Sequence, residues 1–375
     1  MVKIFNYFSF RLIYITLLIL NFTNTISSLS FEYPTVVTLN NGNIFVIHKT
    51  GVSICDPSFS LIINNVTVFE SGNQITSPNS LSKVSISQFN EGYIVSIIIN
   101  KIYIFSPEGR LEYISDVLTN YDVNIFISRD ELFDGNQYYY LIGYIYQNSI
   151  YLEYYYYIST QKKNNLHSSA RAKKDFYYSE NYNIKNKGIS CQMLYYKNKD
   201  LIVCADYVYT SSKSYLSLSY FSYNGNTKLM SYEYISNYYY WSEIMCIKST
   251  YGEDRTKAFF CMYLSTGELN CLLYDVNAST DNLPYEKNYT FSTKEFYALK
   301  VYYFPDKNQY GLSYITQDGN IQAFIYDSTF KKYYHTIYKF SGCNNIYSHS
   351  LIYLKNYTNY YIITDAEIGC DGNYI

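Results

Sequence analysis

Short runs of apolar and β-branched residues, separated by turn residues, recur along almost the whole chain. Asn-Gly and Glu-Gly pairs lie between many of these runs, and Asn-Gly in this setting favours a tight hairpin because both residues tolerate positive φ. The pattern therefore predicts antiparallel strands joined by tight turns. In the N-terminal third the runs are 35–39, 43–48, 51–55, 83–89, 92–98, 101–105 and 110–114.

The first turn of each group of strands recurs at an interval of about 50 residues, which is typical of four-stranded propeller blades. The seventh unit contains only His349–Leu354 and Tyr360–Ala366 before Ile375. We therefore expect an all-β ring of about seven four-stranded units, the last incomplete, with a β-sandwich as the alternative. Residues near the mature N-terminus, or a continuation of the chain, would complete the last unit. The turns are Asn41-Gly42, Glu91-Gly92, Asp134-Gly135, Asn198-Lys199, Glu253-Asp254, Asp306-Lys307 and Asn356-Tyr357.

Three segments share a strand, a turn with glycine and a second strand: Thr38–Ile47, Ile102–Gly109 and Tyr314–Tyr326. In this respect the chain resembles β-propeller repeat proteins in general, over roughly residues 31–366. It has neither a Gly-His and Trp-Asp pair nor a Gly-Gly doublet of the kelch type. The resemblance implies an architecture and no particular activity, because propellers host enzymes and scaffolds alike.

The N-terminus has the pattern of a secretory signal peptide, which we place at residues 1–28. Lys3 and Arg11 precede the apolar stretch 12–20, which is too short to cross a bilayer as a helix. A signal anchor that extends back through residues 5–10 is the alternative. Residues 29–375 are expected to form one extracellular domain.

A polar stretch at residues 161–187 interrupts the repeat. It contains few apolar residues and a series of basic ones, so we expect an exposed loop inserted into the domain. Its basic residues include Lys162, Lys163, Arg171, Lys173 and Lys174.

Eight cysteines follow the signal segment, which is typical of an oxidising compartment. Residues placed symmetrically about a hairpin turn face one another, within reach of a disulfide. Cys261 has two candidate partners, Cys246 and Cys271, and Cys55 has none assigned. We expect at least two disulfides, and the symmetric pairs are Cys191 with Cys204, Cys246 with Cys261 or Cys261 with Cys271, and Cys343 with Cys370.

Four sequons lie outside the signal segment and would meet the glycosylation machinery in an exported chain. The candidate acceptors are Asn65, Asn277, Asn288 and Asn356.

Charge and motifs exclude several functions. The net charge is −2, with 29 basic against 31 acidic residues, so the chain lacks the basic excess of a nucleic-acid binder. It contains no nucleophile-elbow, phosphate-loop, dinucleotide-binding, zinc-protease or calcium-loop motif. We assign no catalytic, cofactor-binding or metal-binding residue. The carboxylates that could serve a glycosidase all lie in turns, where Asp is favoured for backbone reasons: Asp134, Asp254, Asp306 and Asp318.

Tyrosine is unusually abundant, with 52 Tyr against one Trp. Runs at 138–140, 154–157 and 238–240 would place rings on both faces of a strand. In a propeller such rings fill the space between blades. The alternative is an exposed aromatic platform for a ligand.

Together these features favour a secreted or cell-surface glycoprotein that binds an extracellular protein or glycan. The first alternative is an extracellular carbohydrate-active hydrolase with carboxylates in the central channel. The second is the N-terminal ectodomain of a longer membrane protein. A nucleic-acid partner is not expected, and membrane contact is expected only through a signal anchor or a segment beyond the given chain.

Overall fold

The fold was analysed in a computed structural model. It describes residues 2–8, 12–14, 34–39, 41–58, 61–70, 74–75, 84–89, 92–99, 101–116, 123–134, 136–146, 149–175, 185–196, 199–210, 213–224, 229–252, 255–277, 285–289, 296–316, 319–328, 333–341, 346–354, 359–366 and 371–374. Two short strands come first, β1 (Val2–Phe8) and β2 (Leu12–Tyr14).

The strands that follow form six blades, each built from four strands that are consecutive in the chain and pair antiparallel in order. Blade 1 contains β3 Thr35–Thr38, β4 Ile44–His48, β5 Gly51–Cys55 and β6 Leu61–Val68. Blade 2 contains β7 Val84–Gln88, β8 Ile94–Ile98, β9 Lys101–Phe105 and β10 Leu111–Asp116. Blade 3 contains β11 Val123–Asp134, β12 Gln137–Tyr146, β13 Ser149–Ile158 and β14 Lys163–Asp175.

The next three blades repeat this order. Blade 4 contains β15 Asn186–Tyr196, β16 Lys199–Tyr209, β17 Ser214–Asn224 and β18 Leu229–Tyr240. Blade 5 contains β19 Ile244–Tyr251, β20 Lys257–Leu264, β21 Leu269–Asp275 and β22 Tyr285–Tyr289. Blade 6 contains β23 Phe296–Phe304, β24 Gln309–Thr316, β25 Ile321–Asp327 and β26 Tyr333–Ser341.

A further sheet, the closing sheet, is built from both ends of the chain. Its hairpin consists of β27 (Ile346–Leu354) and β28 (Asn359–Ala366), and β1 pairs in parallel with β28 while β2 pairs with β1. The last strand, β29 (Asp371–Tyr374), instead adds to the outer edge of blade 6. The residues of β1 and β2 lie inside the predicted signal peptide.

From blade 2 to the closing sheet, the first strands of neighbouring units pack against one another around a centre, and β27 packs against β3. Blades 1 and 2 share an apolar cluster, which completes the ring. The molecule is therefore an all-β propeller and not the alternative sandwich. Six blades are complete, against about seven predicted units of which the last was expected to be incomplete. Each predicted first turn falls between the first and second strand of its unit.

The core lies between blades. Successive residues of a strand point to opposite faces, so that Ile94 and Ile98 pack toward blade 1 while Val95 and Ile97 pack toward blade 3. The middle strands are consequently buried on both faces, which explains their continuous apolar runs. At one turn a glycine is required: Gly109 has φ +82° and a Cβ there would lie 2.3 Å from Cδ1 of Ile54 on the neighbouring blade.

Residues 163–175 correct the predicted loop, because they form β14, the outermost strand of blade 3. An outer strand has little core to contact, so its composition can be polar although its backbone pairs with β13. The pairing shifts register opposite Glu153 and Tyr155. At its C-terminal end the strand alternates, with Lys173 exposed and Lys174 buried.

Candidate functional site

The tyrosine runs of blade 3 fill the space between blades and do not form a surface platform. Tyr140, Tyr154 and Tyr157 are fully buried, and Tyr138 and Tyr155 nearly so. The hydroxyl of Tyr140 donates to Oδ1 of Asn164 at 2.8 Å, and that of Tyr157 donates to Oε2 of Glu112 at 2.7 Å. The side chains of residues 238 and 239 lie outside the described residues.

The single tryptophan, by contrast, is among the most exposed large side chains described. Trp241 follows β18, in the connection from blade 4 to blade 5, and its side chain is 80 % exposed. Lys213 lies at the start of the neighbouring strand, and its Nζ sits 4.1 Å from the centre of the indole ring. Met245, at the start of β19, is also exposed. We call Lys213, Trp241 and Met245 the Trp241 patch.

Hydrogen bonds fix the connection that carries this patch to both blades. The backbone N–H of Ile244 donates to Oγ of Ser214 at 2.8 Å, and that of Glu243 donates to Oγ of Ser265 at 3.1 Å. Nδ2 of Asn186 donates to Oε1 of Glu243 and to the carbonyl of Ile244, both at 3.1 Å. The exposed indole therefore stands on an ordered backbone.

A second polar region lies at the centre of the ring, on the first strands of three successive units. Lys248 of β19 is exposed and Lys300 of β23 is half-buried. Nζ of Lys300 donates to Oγ of Ser350 on β27 at 3.2 Å. We call Lys248, Lys300 and Ser350 the central lysine site.

A buried network supports this site from the side of blade 6. Nε2 of His349 lies 2.7 Å from Oγ of Ser313, which donates to the hydroxyl of Tyr302 at 3.4 Å. The Tyr302 hydroxyl also accepts from the backbone N–H of Leu351 at 3.0 Å. Burial, followed by the charge of Lys300, lowers the pKa of His349 to about 3, so this histidine is neutral at physiological pH.

Loss of hydration and the neighbouring charge of Lys248 lower the pKa of Lys300 to about 8. Lys300 is therefore still mostly charged at pH 7. Among the described residues, no carboxylate lies within ion-pair distance of Lys248 or Lys300.

The turn carboxylates do not converge within the part of the chain that the structure describes. Asp306 is exposed in the short 3₁₀ turn Pro305–Lys307. Asp254, Asp318 and the side chain of Asp134 lie outside the described residues. No group of three or more His, Cys, Asp or Glu side chains among those described is placed to hold a metal ion.

Among the cysteines that the structure describes, two disulfides are formed, Cys191–Cys204 and Cys261–Cys271. The first joins the pair symmetric about its hairpin. Of the two pairings left open for Cys261, the one with Cys271 is formed. The centre of the β19–β20 hairpin lies one residue later than the sequence indicates, so Cys261 is opposite Lys248 and not opposite Cys246. Cys246 and Cys55 are free thiols, and burial raises the pKa of both. Cys343 and Cys370 lie outside the described residues.

The sequons that the structure describes lie toward the outside of the ring. Asn277 is exposed in the turn after β21, where its backbone N–H donates to Oδ1 of Asp275 at 2.9 Å. Asn65 and Asn288 belong to the outermost strands β6 and β22, although their side chains are not described. Asn356 lies outside the described residues.

The two disulfides indicate an oxidising environment. Within the described ranges, the structure contains no helix of the length and apolarity needed to cross a bilayer.

Comparison with known proteins adds only general likenesses. No protein-family model and no curated protein matches the chain. The crystal structure of the WD40 domain of SCAP from fission yeast matches with 8 % identity and a TM-score of 0.39, covering 81 % of this chain and 84 % of that one. The BP39L lectin from Burkholderia pseudomallei matches with 10 % identity and a TM-score of 0.46, with the same coverage.

Neither the Trp241 patch nor the central lysine site was predicted from the sequence. Trp241 is the only tryptophan in a chain with 52 tyrosines and follows the tyrosine run 238–240, which would have been a usable signal. Lys248 and Lys300 each follow an apolar residue within a predicted strand, but nothing in a single strand indicates that different blades bring them together.

Proposed function

We propose that the protein is a secreted or cell-surface propeller glycoprotein that binds an extracellular protein or glycan at the Trp241 patch. The observation that carries this proposal is the 80 % exposure of the chain's only tryptophan on an ordered connection. A large exposed aromatic of this kind costs solubility, and in binding proteins tryptophan is enriched among the residues that supply most of the affinity.

The surroundings of Trp241 favour recognition over simple exposure. Indole offers a flat apolar face together with an N–H donor, which suits both a sugar ring and an apolar protein side chain. Lys213 adds a cation beside the ring, and Met245, four residues after Trp241 in the chain, is an exposed and flexible apolar side chain. Because the backbone is already fixed by Ser214 and Ser265, little ordering remains to be done on binding.

Export of the chain is supported by the signal-like N-terminus, the two disulfides and the outward position of the sequons. In this proposal residues 1–28 are removed and glycans are attached at the outer rim. Removal of residues 1–28 would take away β1 and β2 and leave the β27–β28 hairpin as the last unit.

Trp241 itself provides the binding assay. The protein is applied to arrays of glycans and of extracellular proteins, and each candidate is then titrated while indole fluorescence is excited at wavelengths where tyrosine does not absorb. Because the chain contains one tryptophan, the signal reports on the patch alone. Trp241→Ala lacks the indole and is therefore titrated by calorimetry, and we expect it to weaken binding by about thirtyfold, the loss usual for a central aromatic anchor.

Tyr334→Ala is the matched control, since Tyr334 is a large aromatic that is 72 % exposed on β26 of blade 6. We expect this variant, titrated by calorimetry, to bind as the unmodified protein does. Equal affinities for Trp241→Ala and the unmodified protein would refute the patch as the binding site.

Export is tested separately by expressing the full reading frame in a eukaryotic secretory host. N-terminal sequencing of protein from the medium is expected to begin close to residue 29, and glycopeptide mass spectrometry is expected to find glycan on Asn277. A chain that stays inside the cell with β1 intact would contradict the signal-peptide assignment.

A further inference from the structure

We propose that the central lysine site, Lys248 and Lys300 together with Ser350, binds an oxyanion group such as phosphate or sulfate at the centre of the ring. This site is distinct from the Trp241 patch and does not depend on it.

The three residues come from three different units of the propeller. Lys248 lies on β19, Lys300 on β23 and Ser350 on β27, each near the middle of the first strand of its unit. The first strands line the centre of the ring, since β19 packs against β23 and β23 against β27. Nζ of Lys300 reaches across to Oγ of Ser350 at 3.2 Å. The groups are thus held by a rigid frame of strands.

The described residues supply no counter-charge to the central lysine site. Across the described residues, neither Lys248 nor Lys300 has a carboxylate within ion-pair distance. Lys248 and Lys300 lie on first strands that pack against each other, and the charge of Lys248 adds to burial in lowering the pKa of Lys300. A half-buried ammonium normally has a paired acceptor, because loss of hydration is costly. An external anion would provide this acceptor.

The histidine next to the central lysine site is also consistent with a bound anion. His349 is neutral and fully buried, and its Nδ1 has no hydrogen-bond partner among the described atoms. Because this imidazole is neutral, the described part of the site carries the two positive charges of Lys248 and Lys300 and no carboxylate partner for them. Ammonium groups and a hydroxyl are donors that bind the tetrahedral oxygens of phosphate and sulfate through charge-assisted hydrogen bonds.

Calorimetric titration with potassium sulfate and potassium phosphate, against potassium chloride at equal ionic strength, tests the proposal. We expect saturable binding of both oxyanions and none of chloride. Lys300→Met and Lys248→Met are each expected to weaken binding about tenfold or more, through loss of a charge-assisted hydrogen bond. Lys248 is exposed, so its substitution keeps the test valid even if Lys300→Met impairs folding.

Lys163→Met serves as the matched control, because Lys163 is exposed on the outer strand β14. This control separates site binding from the general stabilisation of proteins by sulfate and phosphate, which acts on every variant alike. Trp241→Ala is also expected to bind oxyanions normally, so that failure of this site and failure of the Trp241 patch can be told apart.

The pH gives an independent readout. Because Lys300 titrates at about 8, the affinity for sulfate is expected to fall about tenfold between about pH 7 and pH 9, as its ammonium loses the proton. Lys300→Met should remove this fall. Sulfate is used here because its own charge does not change over this range.

The source of the oxyanion is resolved by comparing inorganic sulfate with a sugar 6-sulfate and the uncharged sugar. Tighter binding of the sulfated sugar indicates a group carried on a glycan, and binding of the inorganic ion alone indicates a free anion. Both results support the site. Absence of saturable binding of any oxyanion, or equal binding by Lys248→Met, Lys300→Met and the unmodified protein, would overturn it.

Discussion

Two of the lysines that are at least half-buried, Lys174 and Lys300, have different surroundings. Lys174 of β14 is buried between blades 3 and 4, where its Nζ contacts Oδ2 of Asp206 at 2.6 Å. Ser217 and Ser219 accept from the same Nζ at 3.2 and 3.4 Å. Lys300, at the centre of the ring, has one hydroxyl acceptor and a second lysine nearby.

The difference separates a structural role from a binding role. A buried lysine with a carboxylate and two hydroxyls completes its own coordination, and the cost of leaving water is offset inside the protein. A half-buried lysine beside another positive charge has no such compensation. In our proposal, an external oxyanion supplies the negative charge that Lys300 lacks.

The largest change in stability is expected at Lys174, whose charge is paired with Asp206. Asp206→Ala leaves Lys174 buried without its counter-charge, and we expect it to lower the free energy of unfolding by about 3 to 5 kcal/mol. Urea denaturation at pH 7, followed by circular dichroism, measures this change.

Asp175→Ala is the matched control, since Asp175 forms an exposed ion pair with Lys173 at 3.1 Å. Exposed pairs contribute about 1 kcal/mol or less. If the two aspartate variants lost stability equally, the distinction between a buried and a surface pair would be wrong here.

A gain in stability, and not a loss, is expected when the charge of Lys300 is removed. Lys300→Met removes a desolvated charge and keeps the apolar stem, so in oxyanion-free buffer it should raise the free energy of unfolding by about 1 to 3 kcal/mol. Lys174→Met, measured the same way, should lower it because Asp206 is then left unpaired. A loss of stability in both variants would remove the contrast between the two sites.

The smallest expected effect is a change with pH in the stability gained by Lys300→Met. The folded-state pKa of Lys300, about 8, lies below its ordinary value, so between these two values the unfolded chain binds more protons than the folded one. Stability of the unmodified protein therefore rises with pH in this interval through Lys300. The advantage of Lys300→Met should accordingly shrink as the pH is raised from about 7 to about 10. A difference that stays constant in parallel urea titrations would show that Lys300 has an ordinary pKa.

Much of the architecture was predictable because hairpins are local. The turn residues and the strand-like runs located all seven first turns, and the symmetry of the hairpin paired Cys191 with Cys204. The prediction was wrong at β14, where an outer strand has little apolar pattern to reveal it. The choice of Cys271 over Cys246 as partner of Cys261 depended on a one-residue shift in the β19–β20 turn, which the sequence did not indicate.

The candidate sites were less predictable. Trp241 was visible as a rare residue, but its exposure depends on how blades 4 and 5 meet around the β18–β19 connection. Nothing in the sequence around Lys300 indicates a site. Its candidate role depends on Ser350 and Lys248, which are distant along the chain and are brought together by the ring.

Most of the strands, the turns and the repeat of about 50 residues could be predicted from the sequence, since each depends on residues that are close along the chain. The three-dimensional structure was needed to show which strands lie outermost and which lysine has a carboxylate partner. These outcomes depend on contacts between blades, where burial and the distance between charges are set by ring closure. Lys174 lies on an outermost strand and Lys300 on a first strand at the centre of the ring, and their neighbours across a blade interface make one structural and the other a candidate for binding.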